Sequence, residues 1–229
     1  MIILAGGLGT RLSDTVPGLQ KCMAPVNGRP FLYYVIKYLV RHQLNHFIFS
    51  LGYRHENISS FVGSHFPKLN SSYSIEESPL GTGGAILKAL SAVKNEHVLV
   101  LNGDTFFNVH LPALLELHKK KDADCTIALK PMKHFDRYGS VKLNEENMVT
   151  AFTEKQFYDE GLINGGIYLI RKQTLLDENL PGKFSFEKEF LAKFVTDKKI
   201  FGQVHDDYFI DIGIPADYYR AQDELKQFV

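Results

Sequence analysis

The chain has 229 residues, of which 45% are hydrophobic, and this is enough for one sizeable core. Lys and Arg together number 26 and Asp and Glu also number 26, so the formal net charge is zero. Nucleic-acid-binding proteins normally carry a basic excess, and no apolar stretch is long enough to cross a bilayer, so we expect neither nucleic acid nor membrane as a partner. The cysteines, Cys22 and Cys125, predict no disulfide framework and favour a reducing, cytoplasmic setting without a signal peptide. We interpret Cys22 as a structural thiol, although it lies beside Lys21.

Strands and helices are predicted to alternate through the first half of the chain. The short apolar run at residues 1–5 predicts a buried strand, and Pro30 is predicted to lie in the first turn of a helix that begins the next apolar segment. The later elements are predicted, in chain order, as a strand at 46–51, a helix at 85–93, a strand at 98–101, a helix at 111–121 and a strand at 126–129. This alternation favours a mostly parallel sheet covered on both faces.

The pattern changes after about residue 135 to shorter predicted strands. They span residues 141–143, 149–154 and 166–170, and helices are predicted at 186–195 and 216–228. No internal repeat and no low-complexity linker divides the chain. We therefore expect one domain over residues 1–229.

Glycines follow the first predicted strand in the segment Leu4-Ala5-Gly6-Gly7-Leu8-Gly9-Thr10-Arg11-Leu12. Glycines let backbone N–H groups form an anion-binding concavity, while Arg11 and Lys21 add positive charge for a polyphosphate. A dinucleotide fingerprint would need glycine or alanine at Leu12, and no Walker A sequence is present. The segment thus indicates a nucleoside triphosphate site, and a glycine turn without a ligand stays open as the alternative.

Two aspartates stand at the ends of apolar runs that are far apart in the sequence. Asp104 follows the strand predicted at 98–101, and Asp211 lies inside the segment Phe209-Ile210-Asp211-Ile212-Gly213. A buried carboxylate needs a partner, and a Mg²⁺ ion shared with substrate phosphates would supply one. In the alternative, Asp104 caps a turn and Asp211 pairs with a lysine or arginine.

The N-terminal segment resembles the signature of the sugar-1-phosphate nucleotidyltransferase family, L-A-G-G-x-G-T-R-L with a lysine nine residues after the leucine. Two departures are visible: Gln20 replaces a usual proline, and Asp14-Thr15-Val16 replaces Pro-Leu-Thr. The resemblance extends from Met1 to about Tyr219. It implies an α/β fold, a Rossmann-like three-layer α/β/α sandwich of the GT-A-like type. It also implies a nucleotide-binding part over about 1–135 and a sugar-binding part with closing helices over about 136–229.

The resemblance implies roles for individual residues. The catalytic residues would be Arg11, Lys21 and Asp104, and the metal ligands for Mg²⁺ would be Asp104 and Asp211. The nucleotide-binding residues would be Leu4, Ala5, Gly6, Gly7, Gly9, Thr10, Arg11, Glu76, Gly81, Thr82, Asn102 and Gly103. The residues that bind the sugar phosphate would be Gly139, Glu154, Lys155 and Asn164.

The base preference is argued from Glu76, which stands where pyrimidine-specific relatives commonly carry glutamine. A carboxylate only accepts hydrogen bonds, and the Watson–Crick edge of guanine presents two adjacent donors. Uracil presents one donor between two acceptors, so Glu76 favours GTP over UTP or dTTP. The alternative is that Glu76 and the adjacent Glu77 both lie on a solvent face.

Four further stretches resemble short guanylyltransferases that act on D-glycero-α-D-manno-heptose 1-phosphate. These stretches are residues 23–26, 102–107, 163–166 and 209–215. The implied product is a GDP-heptose for surface glycans such as capsule or lipopolysaccharide. Two alternatives remain, a uridylyltransferase for N-acetylmuramate 1-phosphate or another hexose 1-phosphate, and a non-catalytic regulatory subunit that binds nucleotide sugar. The 17 Phe and 11 Tyr residues fit a homodimer surface and core packing equally well.

Overall fold

A computed structural model describes residues 1–7, 12 and 15–228 of the chain. Its strands are β1 (Ile2–Leu4), β2 (Pro25–Val26), β3 (Arg29–Pro30), β4 (Phe47–Leu51), β5 (Ser71–Ile75), β6 (His97–Asn102), β7 (Thr105–Phe107), β8 (Cys125–Phe135), β9 (Ser140–Leu143), β10 (Val149–Phe152), β11 (Tyr158–Arg171), β12 (Ile200–Val204) and β13 (Phe209–Asp211). Its α-helices are α1 (Phe31–Arg41), α2 (His55–His65), α3 (Gly81–Ala89), α4 (Leu111–Lys120), α5 (Lys172–Leu176) and α6 (Pro215–Glu224). No helix in this part of the chain has the length and apolar composition needed to cross a bilayer.

Nine of these described strands form one central sheet, along which β10, β9, β11, β6, β1, β4 and β5 follow in that order, with β8 and β12 joined through β11. Strand β1 is parallel to β4 and β6, and β4 is parallel to β5. Strand β11 is antiparallel to β6, β8 and β9. The predicted α/β fold class is confirmed. Because β6, β1, β4 and β5 run in the same direction, their carboxyl ends meet at one edge of the sheet.

Apolar side chains fill both faces of this sheet. Ile3 and Phe49 belong to a core cluster with α1, α2, α4 and α6, whereas Ile2 and Ile48 belong to a second cluster with α3, α5 and the segment Phe186–Leu191. Successive residues of a strand point to opposite faces, so the two neighbouring isoleucines contribute to different layers. This arrangement is the predicted α/β/α sandwich.

The helix predicted at 85–93 begins four residues earlier than expected. Helix α3 starts at Gly81 and ends at Ala89, and a 3-10 turn continues over Leu90–Ala92. Gly81 has a φ of +71°, and a Cβ there would collide with the carbonyl of Phe184. Glycine disfavours a helix by propensity, and here tertiary packing overrides that preference.

The second half of the chain departs more from expectation. The helix predicted at 186–195 is a π-helical segment over Phe186–Leu191, and the last helix is divided into α6 and a 3-10 turn at Leu225–Phe228. Strands β8 and β11 are much longer than predicted, because their half-exposed polar residues pair with each other. Pro30 is the N-cap of α1 and does not lie in its first turn.

Several elements have no counterpart in the prediction, among them α2, β5 and β12. Helix α2 buries only Ile58, Phe61 and Val62 among polar residues, so its amphipathic pattern is weak. Strand β5 has the sequence Ser-Ser-Tyr-Ser-Ile and lies at the end of the sheet, where few apolar residues are required. Strand β12 is short and pairs in parallel with β8.

Candidate functional site

A pocket of about 910 Å³ opens at the carboxyl ends of the parallel strands. Predicted site residues that line it are Leu4, Ala5, Gly6, Gly7, Lys21, Glu76, Gly81, Thr82, Asn102 and Asp104. Gly103 lies just behind the wall, where its N–H donates to the carbonyl of Leu4 at 2.8 Å. The predicted residues Gly9, Thr10 and Arg11 lie outside the described residues. The fold thus brings together residues that are up to a hundred positions apart in the sequence.

Lys21 and Asp104 form an ion pair inside this pocket. Lys21 Nζ lies 2.6 Å from Asp104 Oδ2, and the two side chains are 15% and 31% exposed. Lys21 begins a 3-10 turn, Lys21–Met23, and Asp104 follows the end of β6. A positive and a negative group therefore face the same space, one suited to phosphate oxygens and the other to a cation.

Asp211 is brought next to Asp104 by the pairing of β13 with β7. The N–H of Ile212 donates to the carbonyl of Asp104 at 3.2 Å, and the N–H of Gly213 donates to Asp211 Oδ1 at 2.8 Å. Burial, followed by the negative charge of Asp104, raises the pKa of Asp211, although Lys21 and the Gly213 N–H oppose this shift. A buried carboxylate beside a second carboxylate is stabilised by a cation.

Asp104 and Asp211 supply the number of protein ligands that a magnesium ion usually takes. Among the described residues no group of three or more His, Cys, Asp or Glu side chains is arranged to hold a metal. Magnesium typically takes one or two carboxylates and completes its shell with water and substrate phosphates. Asp104 and Asp211 would therefore hold such an ion only together with a bound nucleotide.

Two side chains that were not predicted to contact the metal ligands surround Asp211. The hydroxyl of Tyr138 donates to Asp211 Oδ2 at 3.3 Å. Arg137 Nη2 lies 3.8 Å from the same oxygen, and the other arm of this guanidinium donates to Asp217 in the first turn of α6. The alternative, a pair between Asp211 and an arginine, is thus present as well. The distance of 3.8 Å is long for an ion pair, and the Asp211 carboxylate still lies next to Asp104.

Glu76 lies half-buried in the pocket wall and holds the loop that leads into α3. Its Oε2 accepts a hydrogen bond from the N–H of Leu80 at 2.9 Å, and its Oε1 lies 3.5 Å from the hydroxyl of Ser50. Glu77 also borders the pocket but is exposed. Only one oxygen of Glu76 is committed to the backbone, so the carboxylate can still accept from a ligand.

The glycine-rich turn at the start of α3 packs tightly against a distant segment. The hydroxyl of Thr82 donates to Glu187 Oε2 at 2.8 Å and accepts from the N–H of Phe186 at 2.9 Å. The N–H of Gly83 donates to the carbonyl of Phe184 at 3.0 Å. The Thr82 side chain therefore ties this part of the pocket wall to the segment 186–187.

The predicted sugar-phosphate residues do not line this pocket. Gly139 lies in the turn between β8 and β9, where the carbonyl of Thr153 leaves no room for a side chain. Glu154 and Lys155 are exposed in the loop after β10. Asn164 is at a bulge of β11, and its amide is engaged by Tyr168 and the N–H of Gly166.

The bulge nevertheless connects the two predicted subsites. A Cβ at Gly166 would meet the side chain of Asn102, which lines the pocket. Further pocket residues that the sequence analysis missed are Ser50, Gly52, Tyr53, Arg54 and His55. Their signal was available, since they lie at and after the end of the predicted strand at 46–51, where ligands of parallel sheets bind.

The thiol of Cys22 is buried next to this site. Burial, followed by the charge of Asp104, raises its pKa to about 12. Both cysteines are free and buried. The interpretation of Cys22 as a structural thiol agrees with this environment, because a thiol that stays protonated is not reactive.

Comparison with known proteins connects this architecture with one family. A family model described as nucleotidyl transferase matches residues 1–227. The chain is 48% identical to D-glycero-alpha-D-manno-heptose 1-phosphate guanylyltransferase of Aneurinibacillus thermoaerophilus, covering 100% of this chain and 99% of the relative. It is 47% identical to the protein of the same name from Campylobacter jejuni subsp. jejuni serotype O:2, covering 96% of each.

A solved structure gives the same result. The crystal structure of HddC from Yersinia pseudotuberculosis complexed with GMP-PN matches with a TM-score of 0.89 and 36% identity, covering 98% of each chain. The sequence match and the structural match both run over nearly the full length. The chain therefore belongs to the nucleotidyl transferase family.

Proposed function

We propose that this protein transfers a guanylyl group from GTP to D-glycero-α-D-manno-heptose 1-phosphate. A phosphate oxygen of the sugar 1-phosphate attacks the α-phosphorus of GTP, the bond from that phosphorus to the bridging oxygen breaks, and pyrophosphate leaves. The product is a GDP-heptose. The observation that carries this proposal is the near full-length identity of 47–48% to two heptose 1-phosphate guanylyltransferases.

Charge neutralisation is the main task of the protein in this reaction. Lys21 lies in the pocket at hydrogen-bonding distance from Asp104, so its ammonium group is available to the triphosphate when a cation takes over that carboxylate. Arg11 has the same proposed role. The nucleophile belongs to the substrate, so no covalent enzyme intermediate is required.

Asp104 and Asp211 are the residues that would hold Mg²⁺. When bound, the ion would neutralise phosphate charge and orient the triphosphate. Burial and the neighbouring carboxylate both disfavour a lone negative charge at Asp211, and this supports a cation between the pair.

Glu76 is the residue proposed to read the base. Its carboxylate lies in the pocket wall with one oxygen free of backbone bonds, which suits the two donors on guanine. The complex of the HddC structure with GMP-PN supports the same preference. Loop and helix-turn backbone from Leu4 to Gly7 and at Gly81 would enclose the nucleotide.

The sugar phosphate is proposed to bind on the antiparallel side of the sheet. Lys155 would neutralise the attacking phosphate, Glu154 would bind hydroxyls, and Gly139 and Asn164 would shape the site. These roles divide a single domain into a nucleotide part over about 1–135 and a sugar part over about 136–229. Asp211, although it lies in the second part, would serve the nucleotide. A cytoplasmic location and a role in capsule or lipopolysaccharide synthesis follow from the proposed substrates, and a homodimer stays a prediction.

Pyrophosphate release tests this proposal directly. The protein is mixed with D-glycero-α-D-manno-heptose 1-phosphate and Mg²⁺, and GTP, ATP, CTP, UTP and dTTP are offered separately. We expect release with GTP alone. Release with UTP or dTTP would keep the reaction class and contradict the role of Glu76.

If none of the five nucleotides gives pyrophosphate release, a second set of sugar phosphates is tested. Mannose, glucose and N-acetylmuramate 1-phosphates replace the heptose substrate. Release with N-acetylmuramate 1-phosphate and UTP would select the uridylyltransferase alternative. If no combination releases pyrophosphate and calorimetry detects binding of a nucleotide sugar, the regulatory-subunit alternative is selected.

A further inference from the structure

A buried glutamine side chain stands immediately before the pocket lysine. Gln20 is 3% exposed, and its Nε2 donates to the carbonyl of Tyr53 at 2.8 Å and to that of Arg54 at 2.6 Å. One amide group therefore holds two consecutive carbonyls of the loop that follows β4. Tyr53, Arg54 and Lys21 all line the pocket.

The same two segments are joined by a bond in the other direction. Arg54 has a φ of +56°, in the left-handed region, and its guanidinium donates to the carbonyl of Gly18. Hydrogen bonds in both directions thus connect residues 18–20 with residues 53–54. The wall of the pocket and the chain leading to Lys21 cannot move independently without breaking these bonds.

Gln20 also determines where the backbone of Lys21 starts. It is the N-cap of the 3-10 turn Lys21–Met23, and its carbonyl accepts from the N–H of Met23 at 2.8 Å. Lys21 then extends to Asp104. A long, flexible lysine side chain reaches a fixed point in space only when its backbone is fixed, so the amide of Gln20 restrains the position of the ammonium group.

The chemistry of Gln20 favours a positional role over simple core filling. Its Oε1 is buried and has no hydrogen-bond partner within the described part of the chain. A buried acceptor without a partner destabilises the fold, whereas an apolar side chain of similar shape would not. What glutamine supplies at this place is the pair of N–H donors.

We infer that Gln20 is a positioning residue, which holds Lys21 at a fixed distance from the Tyr53–Arg54 wall and thereby sets the contribution of Lys21 to turnover. This inference rests on the proposed function, in which Lys21 acts on the triphosphate. It predicts that the effect of Gln20 is transmitted through Lys21. A role confined to stability would be independent of Lys21.

A double-mutant cycle separates these two roles. Gln20→Met keeps the length of the side chain and removes both donors, and it is made alone and together with Lys21→Ala. We expect Gln20→Met to lower kcat roughly 10- to 100-fold, because a displacement of about 1 Å at a reacting centre has such an effect. In the Lys21→Ala background we expect it to have no further effect.

GTP affinity gives the cycle a second readout. The wild type, the two single variants and the double variant are titrated with GTP by calorimetry without the sugar phosphate. The coupling between Gln20 and Lys21 can then be calculated even if turnover of the Lys21→Ala variant is too slow to measure. If the wild type binds GTP but transfers to no sugar 1-phosphate, the proposed function fails while the affinity cycle still tests Gln20. A wild type that binds no GTP contradicts both.

Two further variants complete the design. Gln222→Met is the matched control, since Gln222 also donates to a carbonyl, that of Pro25 at 3.0 Å, but is half-buried and does not line the pocket. We expect its kcat to equal that of the wild type. If Gln20→Met does not fold, Arg54→Ala is used instead, because it removes the hydrogen bond from Arg54 to the carbonyl of Gly18. It is tested in the wild type and together with Lys21→Ala. Additive effects, or a Gln20→Met variant with wild-type kcat and affinity, would overturn the inference.

Discussion

The two ends of the central sheet carry polar clusters of opposite character. At the carboxyl end of β6, Asp104 and Lys21 border a pocket of about 910 Å³, and Asp211 keeps a raised pKa next to Asp104. At the amino end, His118 has both ring nitrogens engaged: Nδ1 lies 2.9 Å from Thr126 Oγ1, and Nε2 lies 3.0 Å from His97 Nδ1.

The carboxylates of the amino end are satisfied in the same way. Asp124 accepts from the hydroxyl of Thr174 and from the backbone N–H of Lys199, both at 2.9 Å. Asp122 pairs with Arg171 and Lys199. Polar groups whose bonds are complete stabilise the fold, whereas like charges kept together beside a cavity indicate a ligand. The two ends should therefore respond to mutation in different ways.

The largest effect is expected at the pocket end from Asp104→Asn. We expect kcat to fall by about 10²–10³, in line with the loss of one group that stabilises a transition-state charge. The free energy of unfolding should change by no more than about 1 kcal/mol, because the pair with Lys21 is partly exposed. Steady-state kinetics with Mg²⁺ and urea denaturation measure the two quantities.

Asp206→Asn is the matched control for this prediction. Asp206 also pairs with a lysine, Lys130, but lies outside the pocket. We expect its kcat to be unchanged. An Asp104→Asn variant that turns over like the wild type would contradict the metal assignment.

Arg137→Ala sharpens the comparison, because Arg137 does not line the pocket itself but lies 3.8 Å from Asp211, a proposed metal ligand. We expect the concentration of Mg²⁺ that gives half-maximal activity to rise about 10- to 100-fold, as is typical when a residue that orients a metal ligand is removed. Arg220→Ala is the control, since Arg220 pairs with the same Asp217 at 2.8 Å and makes no described contact with Asp211. Equal effects of the two variants would show that Arg137 acts only by stabilising α6.

Glu76→Gln tests base recognition with a smaller change. We expect the ratio of kcat/KM for GTP to that for UTP to fall about tenfold, because a charged hydrogen bond to guanine becomes a neutral one with a competing donor. The glutamine oxygen can still accept from Leu80, so the loop should keep its shape. Glu77→Gln is the neighbouring control, and the proposed reading of the base fails if both variants give the same ratio.

The amino end should affect stability and leave turnover unchanged. Burial, followed by the positive charges of His97 and Arg171, lowers the pKa of His118 to about 4, against the opposing effects of Asp124 and Asp122. The unfolded chain thus takes up a proton at His118 below about pH 6.5, and the folded protein does so only near pH 4. The stability contributed by His118 is complete above pH 6.5 and is lost as the pH falls through this window.

Denaturation curves at several pH values measure this effect. We expect the free energy of unfolding of the wild type to fall by up to about 1.4 kcal/mol per pH unit between pH 6.5 and 4 through His118. His118→Asn should be less stable at pH 7 and show a flatter dependence on pH, with kcat near that of the wild type. His65→Asn, at an exposed histidine, should follow the wild-type curve. Parallel curves for the wild type and His118→Asn would contradict the assignment.

In the parallel half of the fold, β1, β4 and β6 were predicted to within a few residues, whereas α2 and β5 were not. Strands β1, β4 and β6 are short, continuous apolar runs that are buried on both faces, and such runs have a strong signal. Strands β8 and β11 were predicted only in part, because their polar halves are stabilised by pairing with each other. Helix α3 was predicted to begin too late, because the packing of Phe184 against Gly81 has no local signature.

The sequence by itself determined the fold class and the family, and it predicted which strand ends carry the chemistry. A buried run ending in glycines, or in Asn-Gly-Asp, is a local signal for such a site, and parallel strands necessarily bring these ends to one edge. Tertiary structure alone decided which groups support that chemistry. Gln20 meets Tyr53 across 33 positions, Tyr138 meets Asp211 across 73, and Thr82 meets Glu187 across 105. Hydrogen bonds between such distant residues depend on the packing of the whole chain, and no periodicity or spacing in the sequence encodes them.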